Sequence, residues 1–240
     1  MNQDKIVTQE LGTKLKASII SAHSEARLDQ PLWAINWFDL KRAWLYELYN
    51  QIVISHVRNI GAYPIFKGKL GKVILENERL KREMLLIVKY PKASAFLALI
   101  ANKLFQVKSI LRTSSVKHFQ LGFMEKLNSE DQKPSHSKYT GKLKYLVHVC
   151  EGGTKSDIQS LLDFAASLEV FPYFIGTKSA LIGIQKGNQK LKTLDFILNH
   201  VLVFSSYDNE GLESFVETNH YQQFIYNNKS NFAGLYERKI

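Results

Sequence analysis

The alternation of apolar and polar positions divides the chain into a strand–helix–strand–strand–helix–strand order that then starts again. From Leu32 to Phe38, Trp33, Ile35 and Trp37 point one way and Ala34, Asn36 and Phe38 the other, the period of a strand. Lys41 to Asn59 sets Leu45, Leu48, Ile52, Val53 and Val57 on one helical stripe that continues to Ile60; Asp39 is a candidate cap and Gly61 a stop. Tyr63 to Lys69 is a second strand, with Pro64 at its start. Val73–Leu75 and Met84–Tyr90 form a hairpin around the charged stretch Glu76–Glu83. Pro91 opens a second helix whose buried side is read as Phe96, Leu99, Ile100 and Leu104, and Val116–Glu125 closes the round.

A polar linker, Leu127–Lys142, follows, and the order restarts. Tyr145–Cys150 is a strand, and Ser156 or Asp157 caps a helix with Ile158, Leu161, Leu162, Ala165 and Leu168. Phe171–Thr177, Ala180–Gln185 and His200–Ser205 are strands, Asp208 caps a helix with Leu212, Phe215 and Val216, and Phe232–Arg238 ends the round. Before the first round, residues 1–30 read as a helix carrying Ile6, Leu11, Leu15, Ile19 and Ile20, ended by Pro31.

Two stretches mark the repeat. Tyr63-Pro-Ile-Phe-Lys-Gly68 and Phe171-Pro-Tyr-Phe-Ile-Gly176 share aromatic, Pro, any, Phe, any, Gly. Trp33 and Tyr145 stand 112 residues apart, as do Glu125 and Glu237, while the two prolines stand 108 apart. One folding unit is written twice. The domains are 1–31, an N-terminal helical arm; 32–126, the first repeat; 127–142, the linker; and 143–240, the second repeat.

Such a unit places both helices on one face of an antiparallel sheet and leaves the other bare. The strands are apolar on both sides, so the bare face needs a cover. The expected fold is α+β: two ferredoxin-like βαββαβ repeats packed sheet to sheet as an intramolecular pseudo-dimeric α+β barrel.

Each repeat resembles the dimeric α+β barrel superfamily, and within it the small family DUF1330. The residues that carry this are Asp39 after the first strand, Gly61-Ala-Tyr-Pro-Ile-Phe-Lys-Gly68, and Lys89-Tyr-Pro-Lys-Ala-Ser-Ala-Phe96 with Leu104-Phe-Gln106. The second repeat keeps Tyr221-Gln222 but has Tyr207-Asp208 where the proline would stand. The resemblance covers residues 32–126 and 143–240 and implies fold more than activity. Some members degrade haem or oxidise aromatic substrates without a cofactor. The haem-degrading branch has an asparagine on the first strand, as at Asn36, and a tryptophan on the third strand, which Met84–Tyr90 lacks.

Composition narrows the classes. In 240 residues, 45% hydrophobic and 12% aromatic, there is ample material for a core. Cys150 is the single cysteine, so no intrachain disulfide forms, and it reads as a buried apolar thiol. The N-terminus lacks a signal-peptide core and no run reaches the ~18 apolar residues of a span, so a cytoplasmic protein with no membrane contact is expected. It is expected as a monomer or weak oligomer. The net charge of +10 lies wholly in residues 1–126, with 20 Lys and Arg against 10 Asp and Glu; the remainder balances at 12 and 12. That basic half is either a solvated face or a surface for nucleic acid, acidic lipid or an acidic protein.

The candidate chemistry centres on Asn36 and His148, equivalent polar residues in two apolar first strands. If their face lines a shared interior, they form a ligand pocket, joined by His118, Gln120 and Tyr173, with His148 as candidate acid or base. The alternative is that these are core polar groups satisfied within the fold. Metal-ligand spacing, phosphate loops and nucleophile elbows are missing from the sequence, so neither metal nor cofactor is expected. The basic segment Lys67, Lys69, Lys72, Arg79, Lys81, Arg82 and Lys89, with Tyr63 and Tyr90 interleaved, is a second candidate surface. Two functions therefore stand. One is a small-molecule binding or cofactor-independent enzymatic protein with a pocket between the repeats. The other is a non-catalytic interaction protein using its basic first repeat.

Overall fold

The computed structural model describes residues 13–20, 25–128, 142–180, 182–186 and 191–239. Most of the expected linker, 129–141, and residues 1–12 and 21–24 of the expected arm lie outside the described residues. The chain is α+β and forms two compact units, the first of residues 1–67, 82–125 and 178–196, the second of 68–81, 126–177 and 197–240. Each unit thus holds one excised segment of the other repeat.

In the first unit β1 (Leu32–Leu40) pairs antiparallel with both β3 (Met84–Tyr90) and β4 (Val116–Lys126). The first residues of β2 (Tyr63–Leu75) follow β3 in the strand order. The outer edge of β4 is covered by β7 (Ile182–Lys186), which carries β8 (Leu191–Asp195). The covering segment also brings Phe196, whose ring fills the space over Gly122 in β4. Helix α1 (13–20), α2 (Ala43–Asn59), α3 (Ala93–Ala101) and α4 (Lys103–Ser115) bury Leu15, Ile19, Tyr46, Tyr49, Phe96 and Phe105 against Ala34, Phe38 and Phe123 on one sheet face. That burial is the main stabilising term, because apolar area leaves water.

In the second unit the order is β10 (Asn228–Arg238), β5 (Lys144–Gly152), β9 (His200–Ser206), β6 (Phe171–Lys178). The far edge of β10 pairs with residues 68–75 of β2. Helices α5 (Lys155–Ser167), α6 (Asn209–Glu217) and α7 (Asn219–Asn227) cover the face of Leu146, Cys150, Leu202 and Phe204.

Three sequence expectations change. β2 is one continuous strand, Tyr63–Leu75, where the sequence reads two. The second helix of each round is two helices. Asn102 and Thr218, 116 residues apart, are each extended, and each accepts a hydrogen bond from the third following amide, Phe105 or Tyr221. Four residues after each cap, Gln106 and Gln222 donate back to Ile100 O and Val216 O at 3.0 and 2.8 Å. The aromatic–Gln pairs thus fix a helix break, with the aromatic buried. The break turns α4 by 85° from α3, so Leu104, read as core, is 64% exposed while Phe105 is buried. Leu48, also read as core, is 40% exposed, since α2 buries Leu45, Tyr46, Tyr49 and Val53.

Candidate functional site

Within each unit the sequence-predicted ligand residues divide between the two sheet faces. Asn36 lies opposite Leu86 and Leu121, on the face that α2, α3 and α4 cover. Its amide donates to Leu86 O at 3.3 Å and stays buried. Gln120 lies opposite Trp37, on the other face of the same sheet. His118 sits beyond the β1–β4 register shift, in left-handed backbone at φ 49°, with its side chain 61% exposed. Its Nδ1 donates to Asp39 at 2.6 Å, and Asp39 also accepts from Glu83 N. In the second unit His148 lies on the helix-covered face and Tyr173 packs edge-on against Tyr145, which alternates to the opposite face.

His148 is fully buried. Asn231 Nδ2 donates to Ile225 O, so Asn231 Oδ1 accepts from His148 Nε2–H at 2.9 Å. Nδ1 is then the acceptor for the Tyr221 hydroxyl at 2.5 Å. Rings of Tyr221 and Phe224 stand edge-on to the imidazole. Burial holds the His148 pKa down to about 4, outweighing the Asn231 bond that favours the charged form. Burial also raises Tyr221 well above its ordinary value and pushes Cys150 up to about 12. At neutral pH these groups stay uncharged, and His148, Tyr221 and Asn231 satisfy one another, so the arrangement ties β5 to α7 and both ring nitrogens are engaged.

The basic hairpin segment is occupied by pairing. Lys67 meets Glu47 at 2.6 Å, Lys72 meets Glu213 at 2.8 Å, Arg79 meets Glu151 at 2.6 Å and Lys81 meets Glu76 at 2.9 Å. Lys89 stands over the rings of Trp33 and Tyr63.

Sequence reading missed a different surface. Helices α2 and α4 run antiparallel: Lys41 N and Arg42 N bond to Ser115 O at one end, and Lys108 approaches His56 farther along. Their outward positions hold Trp44 and Leu48 on α2 and Leu104, Val107 and Ile110 on α4. These are five of the eight exposed large apolar side chains among the described residues, and Trp44, Leu104, Val107 and Ile110 are 62–69% exposed. Lys41, Arg42, Lys103 and Lys108 flank them in sequence, while Arg112 turns inward onto the buried rings of Tyr49 and Phe119. From Met84 to Met124 the chain has no Asp or Glu, and α2 has only Glu47, already held by Lys67. The available signal was the absence of acid from that stretch.

A small cleft opens between α5 and α7, about 170 Å³, where Asp157, His220, Gln223 and Asn227 meet Phe224. Asn227 donates to Asp157 at 3.2 Å, and His220 stacks on Phe164 at 4.0 Å. Among the described residues no group of three or more His, Cys, Asp or Glu is placed to hold a metal ion.

No protein-family model matches the chain, and no curated protein does. Solved structures do. A candidate monooxygenase of Fusobacterium nucleatum is 9% identical, over 87% of this chain and 92% of that one, at a TM-score of 0.49. An anthrone oxidase-like protein is 10% identical over 88% and 92%, at 0.48. A mutant chlorite dismutase from Candidatus Nitrospira defluvii is 10% identical over 86% and 91%, at 0.48. Likenesses this distant bring no activity, ligand or cofactor to this chain.

Proposed function

We propose that this protein works by docking, with the outer face of α2 and α4 as its contact surface and an anionic partner with apolar groups as its target. The observation that carries this reading is the cluster of Trp44, Leu48, Leu104, Val107 and Ile110 among cations and without a free carboxylate. Exposed apolar groups concentrated in one patch cost solubility and mark interaction surfaces, whereas scattered ones need no explanation. In this reading each round is a ferredoxin-like repeat. The first carries the contact surface, and His148, Tyr221 and Asn231 of the second hold the fold together.

The test is the combined substitution Trp44→Ser, Val107→Ser and Ile110→Ser. Because these side chains face water, the thermal midpoint stays at the parent value while binding to acidic, apolar probes is lost. A marked fall in the midpoint means the chain's own packing covers the face, and the reading fails.

A second reading rests on the α5–α7 cleft. It takes a small polar ligand, since the volume is below the roughly 300–1,000 Å³ of pockets for drug-sized molecules. Ligand-observed NMR screening with the parent and His220→Ala tests it; hits indifferent to the substitution exclude this cleft.

A further inference from the structure

Resting on the docking reading, we infer that the partner of the α2–α4 face is the surface of an anionic phospholipid bilayer. Three observations select it. The apolar side chains stand out from the helices at 62–69% exposure. A peptide helix is usually gripped in a groove that half-buries its anchors, whereas a bilayer interface accepts projecting tips. Trp44 is on the same face, and tryptophan favours the headgroup level, where its ring is apolar and its N–H wet. Lys41, Arg42 and Lys103 make no ion pair among the described residues, and Lys108 meets only His56. Their stems can lie along the apolar patch while the ammonium and guanidinium groups reach lipid phosphates.

The same observations disfavour other occupants. A second copy docking face to face would bring Lys103 and Lys108 against like charges. Nucleic acid would match the cations and leave Leu104, Val107 and Ile110 against phosphate and water. No single described helix is long and apolar enough to cross a membrane, though the bent pair α3–α4 is so when taken together; the exposed Leu104, Val107 and Ile110 beside Lys103 and Lys108 on α4 fit a helix lying in the interface. This face is assembled from two helices, Ala43–Asn59 and Lys103–Ser115, that lie far apart in sequence.

The full chain should float with phosphatidylcholine vesicles containing phosphatidylglycerol and not with phosphatidylcholine alone, and should be released as salt rises. Of the three tryptophans, Trp33 and Trp37 are buried, so a blue shift of emission on binding reports Trp44. Trp44→Phe keeps most binding and loses the shift. Lys103→Gln and Lys108→Gln each weaken partitioning roughly fivefold. Val107→Ser with Ile110→Ser abolishes it at unchanged thermal midpoint. Binding to an acidic amphipathic peptide without binding to vesicles would overturn the lipid assignment and keep the docking reading. Binding to neither, or vesicle binding indifferent to the Val107 and Ile110 substitutions, would overturn the lipid assignment outright. A destabilised serine variant would remove the docking reading itself.

Discussion

The Tyr221 hydroxyl donates to Nδ1 of His148 across 2.5 Å, joining the first strand of the second repeat to its last helix. The equivalent positions in the first repeat are Asn36 and Phe105. There the polar group is satisfied by the backbone carbonyl of Leu86, and the aromatic needs no partner. Each strand position thus has its buried polar group satisfied, by a helix hydroxyl at His148 and by a strand carbonyl at Asn36.

This pair makes stability depend on pH. Folded His148 titrates near 4, while in the unfolded chain it titrates near 6.5. Between those values the unfolded state binds more protons, so stability is complete above pH 6.5 and falls as pH drops towards 4, by about 3 kcal/mol. His200, also lowered by burial, acts in the same direction. Urea midpoints from pH 7.5 to 4 should decline in the parent and decline less in His148→Phe; equal slopes in the two would refute the assignment.

Tyr221→Phe removes the donor and leaves Nδ1 of His148 as a buried acceptor without a partner. The expected cost is about 1–3 kcal/mol. A double cycle with His148→Phe should show coupling, since Tyr221→Phe costs less once the acceptor is gone. Additive effects would mean that the hydroxyl is satisfied elsewhere.

Gly122 has no room for a side chain, because a Cβ would lie 2.0 Å from the Phe196 ring. Gly122→Ala should destabilise by about 1–3 kcal/mol. Combining it with Phe196→Leu should recover part of that loss, as both act on one volume. Denaturant unfolding of the two singles and the double decides it, and a harmless Gly122→Ala would place Phe196 elsewhere.

His118 holds φ at 49°. Both His118→Gly and His118→Ala lose the Asp39 contact, but only alanine keeps the left-handed strain. The glycine variant should be the more stable by about 1 kcal/mol. Equal thermal midpoints would mean that the backbone relaxes.

The α+β class and the double round were legible because Trp33, Ile35 and Trp37, and again Tyr145, Val147 and Val149, alternate as strands must. The aromatic–Gln pairs were visible too, though not the break they fix, since Asn102 capping Phe105 depends on local backbone that periodicity does not encode. That break turns Leu104, on the apolar stripe that periodicity gives, out of the core. The grouping of Asn36 with Gln120, and of His148 with Tyr173, was out of reach for another reason. Gln120 pairs with Trp37 and not with Asn36, a cross-strand register that neither strand carries in its own alternation, and Tyr173 sits at the register shift between Pro172 and Phe174.

Because residues 68–81 complete the second unit and 178–196 the first, neither repeat contains everything that its unit needs. Lys72 must find Leu235, far along the chain, before the edge of β10 is closed. The closing of that edge thus depends on a pairing between distant parts of the chain, a kind of contact that is slow to form. A chain cut between residues 126 and 143 would bare a strand edge in each product.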